Sequence, residues 1–277
     1  MTAMMPSLSV PSMAHMLAFL AVLVVAAAAA VEASSSVNNL ASSSFFISST
    51  PTLSQTLSQT IVRRVPASLS HVLYVNGDLV GQFLAYITLA PIYVGCYYLT
   101  LIVSRRDIQT MLICVGQVLT VLINYILKRI IKQPRPRDLE PEANDFGMPS
   151  NHAQFIGYFC GIYCIYLMRI PSQKLSRMLK CVYVSTLQLF GVLVCFSRYY
   201  LKYHSLPQVV WGYLTGICLS VIWYLAIKKT NNLVQRALEF SFINSCVAYL
   251  KIRNYDKVDY AAVDELMPAT YRAAKDE

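Results

Sequence analysis

Residues 181–227 read CVYVSTLQLFGVLVCFSRYYLKYHSLPQVVWGYLTGICLSVIWYLAI. Two apolar runs, 181–197 and 206–227, flank a short connector that carries Arg198, Lys202 and His204. A helix rises ~1.5 Å per residue and a bilayer core is ~30 Å thick, so each run can cross once its flanks add a turn. Further apolar runs at about 79–104, 108–127 and 153–168 repeat the pattern. The chain of 277 residues is 56% hydrophobic and 13% charged, with a mean hydropathy of +0.48. A soluble domain carries about 25% charged residues. These features predict an all-α, polytopic integral membrane bundle of about five to six spans. The net charge of +9 does not indicate a nucleic-acid binder, because the basic residues punctuate apolar runs instead of clustering on a polar domain.

The chain divides into three parts. Residues 1–65 read as a targeting or disordered leader. Within it MLAFLAVLVVAAAAAV (16–31) is a candidate signal segment or sixth span, although no Lys or Arg precedes it. Residues 66–229 form the membrane domain. Residues 230–277 form a polar tail, in which LEFSFINSCVAYL (238–250) has the composition of an interfacial helix or of a sticky tail helix. The eight cysteines lie almost entirely in apolar segments, where free Cys behaves as a small hydrophobe. Cys160 and Cys164 share a helix face, but neither a His nor a second Cys pair completes a zinc pattern. No metal or other cofactor is expected.

Five spans place the connectors on alternating faces. One face receives Arg105, Arg106, Arg169, Lys174, Arg177, Lys180, Lys228 and Lys229, which the positive-inside rule makes cytoplasmic. The other face is basic as well, with Lys128, Arg129, Lys132, Arg135, Arg137, Arg198 and Lys202. If those charges serve an anionic ligand, they cease to report topology, and the site faces a lumen or the exterior.

Three stretches on that second face carry the chemistry. In KRIIKQPRP, Lys128 stands seven residues before Arg135. That spacing puts both on one helix face, with Pro134 and Pro136 breaking the helix. Taken alone, the stretch also fits a snorkelling helix end. In FGMPSNHAQF (146–155), Pro149 stiffens the chain, Ser150 or Asn151 caps the following helix, and His152 falls in its first turn. Helix N-termini favour anions. The third stretch places Arg198 six residues before His204. A phosphoryl group suits all three. Arg binds it at two points and Lys as a point charge, and two histidines can share nucleophile and acid duties near neutral pH.

Lys128–Arg135–Pro136, Pro149–Ser150–Asn151–His152 and Ser197–Arg198–His204 together resemble the signature of the PAP2 (type 2 phosphatidic acid phosphatase) superfamily. Its motifs read K-x6-R-P, P-S-x-H and S-R-x5-H-x3-D. GDLVGQFLAYITLAPIYV (77–94), FGMPSNH and YLKYHSLPQVVWG are similar to the subgroup that cleaves dolichyl diphosphate, and the likeness covers roughly residues 70–227. Two positions depart from the superfamily pattern: Asn151 replaces a usual Gly, and Gln208 replaces the final Asp.

The resemblance implies that His204 attacks the outer phosphorus to give a phosphohistidine, and that His152 protonates the leaving oxygen. Lys128, Arg135, Arg198, Ser150 and the Asn151 backbone amide would hold the oxygens, and Gln208 would orient His204. It further implies a polyprenyl (dolichyl) diphosphate substrate and a multi-pass endoplasmic reticulum membrane protein with a lumenal site. Neither nucleic acid nor an obligate protein partner is expected. Asp138, Glu140, Glu142 and Asp145 could substitute for the missing carboxylate or bind a metal, or form a solvated acidic run. Two alternatives stay open: a broader or plastidial lipid phosphate phosphatase acting on phosphatidate, and a catalytically silent lipid-binding protein.

Overall fold

The computed structural model describes residues 64–66, 72–75, 77–136, 146–172 and 175–239. Segment 16–31, the acidic residues Asp138 to Asp145 and the tail from 240 onward lie outside the described residues.

Among the described residues, the elements begin with a short antiparallel hairpin, β1 (Arg64–Pro66) paired with β2 (Leu73–Val75). Six helices follow: α1 (Leu79–Ile87), α2 (Ala90–Arg105), α3 (Ile108–Ile131), α4 (Asn151–Arg169), α5 (Arg177–Tyr200) and α6 (Leu206–Glu239). The helix starts are chemically marked. The Asp78 carboxylate accepts from Gly81 N–H at 2.9 Å, and buried Asp107 accepts from the N–H groups of Gln109 and Thr110. Arg106 and Lys132 end α2 and α3 in the left-handed conformation, which closes each last turn.

Among the described residues, four segments are long and apolar enough to cross a bilayer: Leu79–Arg105, Ile108–Ile131, Arg177–Tyr200 and Leu206–Thr230. The first is the α1–α2 pair, interrupted at Thr88 and Leu89, where the Thr88 hydroxyl meets that of Ser197 at 2.7 Å. The expected fifth span is α4. It is the innermost helix, packing against α2, α3, α5 and α6. Its neighbours cover it, so it can be rich in polar and small residues while the outer helices carry the lipid-facing apolar surface. Helix α6 continues unbroken to Glu239, so the domain boundary expected at 229 falls inside a helix.

The α4–α6 contact is the most extensive, and glycines make it close. Gly157 and Gly161 on α4 lie against Tyr213, Ile217 and Ser220 of α6, while Gly212 and Gly216 on α6 lie against Ser150, Gln154 and Tyr158. Each pair has the small-xxx-small spacing that lets two helix backbones approach. Polar rungs lock α3 to α4. Asn124 donates to Gln154 Oε1 (2.8 Å) and to the Pro149 carbonyl (3.2 Å), and Gln154 donates to the Thr120 carbonyl (3.0 Å). Farther from these rungs, an aromatic cluster of Tyr97, Tyr98, Phe159 and Tyr163 fills the core. The Lys180 ammonium donates to the Ile170 carbonyl across the α4–α5 turn.

Candidate active site

The chain ends of α3, α4, α5 and α6 that carry the three motifs lie at one end of the bundle. Lys128 lies in the last turn of α3. The expectation that Arg135 shares its helix face is not met. The helix stops at Ile131, Lys132 turns left-handed at φ 52°, and Arg135 leaves from an extended segment. Pro134 forces this, because the helix must end before a residue that lacks an N–H and crowds its predecessor. A bridge between Pro134 and Phe146, and a Gly147 N–H to Gln133 carbonyl bond of 2.7 Å, lay that segment against the start of α4.

Ser150 occupies the N-cap position of α4, and Asn151 is the first helical residue. The Ser150 hydroxyl makes no capping bond, contrary to one expectation, and is buried without a hydrogen-bond partner among the described residues. Its N–H is committed to the Gln208 carbonyl at 3.0 Å. What Ser150 presents to an anion is therefore its hydroxyl. The N–H groups that open a helix have no intrahelical acceptor, which adds the amides of 151–153 to the same place. The side-chain oxygen of Asn151 is likewise buried and unpartnered.

At the end of α5 the chain curls back on itself. Lys202 is left-handed at φ 63°, and the N–H groups of Tyr203 and His204 both return to the Arg198 carbonyl, at 3.1 and 3.3 Å. The S-R-x5-H spacing is thus the length of one wrapped helix end, which hangs His204 from Arg198. The Arg198 guanidinium sits 4.1 Å from the Tyr203 ring centroid, and the Tyr203 hydroxyl accepts from Leu73 N–H at 2.8 Å. His152 lies within electrostatic reach of Arg198, His204, Arg135 and Lys128. The structure therefore gathers both imidazoles and all three motif cations.

His204 is 2% exposed. Burial pushes its imidazole down to about 3, the charges of Arg198, Arg135 and Lys128 add to this, and the bond to Gln208 opposes it. The ring is neutral at ordinary pH. Its tautomer follows from Gln208, whose Nε2 donates to the Pro134 carbonyl (2.8 Å) and to Gln133 Oε1 (3.3 Å). The amide oxygen must then face the other way, where it accepts from Ser205 N–H and from His204 Nδ1, each at 3.2 Å. Nδ1 carries the proton, which leaves Nε2 with a free lone pair. A Cβ at Gly147 would stand 2.6–2.8 Å from the Gln208 amide atoms, so any larger residue there would displace that amide from its bonds.

Gln133 is a positioning residue that the motif reading passed over. A carboxylate has two like oxygens, whereas an amide has two unlike ends and needs something to choose between them. Gln133 and the Pro134 carbonyl make that choice. Asn124 is a second such residue. It holds the Pro149 carbonyl, and hence the start of α4, beside Lys128. An amide deep in an apolar span was its sequence signal. Among the described residues, no three His, Cys, Asp or Glu side chains come together in a metal-binding group.

Residues 109–232 match the family described as the PAP2 superfamily. Dolichyldiphosphatase 1 of Dictyostelium discoideum is 36% identical over 163 residues, covering 58% of this chain and 70% of that protein. Dolichyldiphosphatase 1 of Mus musculus is 35% identical over 171 residues, covering 59% and 72%, and dolichyldiphosphatase of Saccharomyces cerevisiae is 33% identical over 169 residues, covering 59% and 70%. A crystal structure of a PAP2-type phosphatidylglycerolphosphate phosphatase from Bacillus subtilis overlaps with a TM-score of 0.46 at 20% identity, covering 56% of this chain and 79% of that one.

Proposed function

Because the chain belongs to the PAP2 superfamily and, within it, to the dolichyldiphosphatases, we propose that it hydrolyses dolichyl diphosphate to dolichyl phosphate and phosphate through His204. The observation that carries this reading is the orientation of that histidine: neutral, buried, and held at Nδ1 by Gln208 so that Nε2 is the free nucleophilic atom.

The chemistry proceeds in two halves. Nε2 attacks the outer phosphorus and an N–P bond forms. The bond from that phosphorus to the bridging oxygen breaks, and its electron pair stays on the oxygen, now part of the retained lipid phosphate. Lys128, Arg135, Arg198, the Ser150 hydroxyl and the α4 amides stabilise the charge on the transferred group. His152 donates a proton to the leaving oxygen. In the second half it takes one from water, which attacks the phosphohistidine and releases phosphate. Gln208 supplies no charge. It keeps the attacking ring in one tautomer and one orientation.

The lipid product is the carrier required by glycan assembly, so the enzyme returns it to protein N-glycosylation. We place it in the endoplasmic reticulum membrane with the cup facing the lumen. The opposite end bears Arg105, Arg106, Arg169, Arg177, Lys180, Lys228 and Lys229 and suits the cytoplasmic side.

The test uses purified protein in lipid nanodiscs, with dolichyl diphosphate and phosphatidate compared side by side. The wild type should release phosphate mainly from the diphosphate and carry an acid-labile ³²P label, and His204→Ala should do neither. Undiminished release by His204→Ala, or a preference for phosphatidate, overturns the assignment.

A further inference from the structure

We propose that Arg129 and Lys132 form a second anion subsite beside the phosphoryl cup, which holds the phosphate that stays on the lipid. The apolar wall beneath them takes the first isoprenoid units. This rests on the diphosphate reading above. Neither residue is a fixed position of the three motifs; both fall among the six variable residues between Lys128 and Arg135.

The observation is a cavity of about 820 Å³ whose lining includes Val121, Tyr125, Lys128, Arg129, Lys132 and Asn151. Two of these, Lys128 and Asn151, border the cup, so the cavity opens from it. Val121, Tyr125 and Lys128 recur at helical spacing on α3 and make one continuous wall, and Lys132, the left-handed residue that ends the helix, lines the same cavity. The wall is apolar below and cationic above. Val121 and Tyr125 are exposed and lie in the membrane-crossing part of the helix, while Arg129 and Lys132 stand at its end. The Arg129 guanidinium rests 4.4 Å from the Tyr125 ring centroid, which holds the charge at the junction of the two zones. An isoprenoid diphosphate has the same polarity along its length. Ligand sites run to about 300–1,000 Å³, so the cavity has room for a diphosphate head and a short length of chain, with the remainder in the bilayer.

The chemistry also calls for such a subsite. A lipid monoester loses an alkoxide, and a donated proton meets most of its need. A diphosphate loses a phosphate, whose negative charge rises as the bridging bond breaks. The cup's three cations serve the transferred group. Fixed positive charge on the other side of the breaking bond serves the departing one. A plainer role for both residues is as snorkelling side chains that complement the helix C-terminus.

The double variant Arg129→Gln/Lys132→Gln separates the two roles. It is purified in nanodiscs of neutral lipid and assayed for kcat/KM on a polyprenyl diphosphate and for inhibition by orthovanadate, which probes the inner cup alone. We expect kcat/KM to fall about 10–100-fold, the usual worth of charged hydrogen bonds, with vanadate inhibition unchanged. An unchanged kcat/KM overturns the subsite. So does a parallel loss of vanadate inhibition, which would assign the two cations to the cup or to folding. A wild type that is inert on the diphosphate but cleaves phosphatidate sinks the underlying reading as well, and the wild-type assay alone reveals it.

Discussion

Gly212→Ala tests whether helix packing sets the distance between the two imidazoles. Gly212 lies on α6 two turns after His204, and a Cβ there would stand 2.7 Å from the Ser150 carbonyl oxygen and 3.1 Å from its nitrogen. Ordinary contact begins at 3.4 Å, so the start of α4 must move away by about 0.7 Å. Neither partner can yield on its own, because the contact is with backbone at the Ser150 N-cap of α4 on one side and α6 backbone on the other. Ser150 N–H is bonded to the Gln208 carbonyl, and His152 follows within one turn. Misplacement by about 1 Å costs on the order of 10²-fold in rate. We therefore expect kcat to fall about 10–100-fold, with a stability loss of about 1–3 kcal/mol from overpacking. Phosphate release and thermal unfolding are measured together. Gly95→Ala, whose added methyl meets nothing within 4 Å, serves as the control and should keep wild-type turnover with no loss of stability, since Ala favours a helix interior over Gly. Wild-type turnover in Gly212→Ala would refute the reasoning, and so would an equal loss in Gly95→Ala.

Three further outcomes are expected. Gln208→Glu places a carboxylate beside His204 Nδ1. It stabilises the imidazolium and raises a group now held near 3 by about 1–3 units or more, so the acid limb of the pH–rate profile should move upward; an unmoved limb argues against the contact. In the wild type the unfolded chain binds a proton at His204 below about 6.5 while the folded one does not, so stability should decline as pH falls from there toward 3, and replacing His204 with Gln should flatten that slope. Gln133→Met removes the acceptor that helps choose the Gln208 amide orientation and should lower kcat several-fold with KM unchanged; a change in KM alone contradicts a positioning role.

The apolar runs were legible because a bilayer imposes a minimum length on them, and the three motifs because phosphate demands cations in quantity. What could not be read was how the chain turns between them. Seven residues from Lys128 to Arg135 suggest two helical turns, yet Pro134 ends the helix early and Arg135 approaches from a strand-like segment. Helix α4 gave a weaker apolar signal than its neighbours because they sheath it, and its Gln154 is satisfied by Asn124 and Thr120, which are distant in sequence. Gln208 was read as a candidate orienter of His204, whereas the need for Gln133 is apparent only once the amide has a direction in space. The Thr88–Ser197 contact at the interruption of the Leu79–Arg105 span joins residues 109 apart, so it has no local signature.

The bond from Leu73 N–H to the Tyr203 hydroxyl reaches across 130 residues, and Tyr203 in turn lies against the Arg198 guanidinium. A strand that precedes the Leu79–Arg105 span is thereby fastened to the loop that carries His204. Cutting the polypeptide between β2 and α1, or fusing a tag at that junction, would slacken a restraint on Arg198, the proposed phosphate ligand, while every motif residue remained in place. For protein production, the safe attachment point on the amino-terminal side lies before the hairpin.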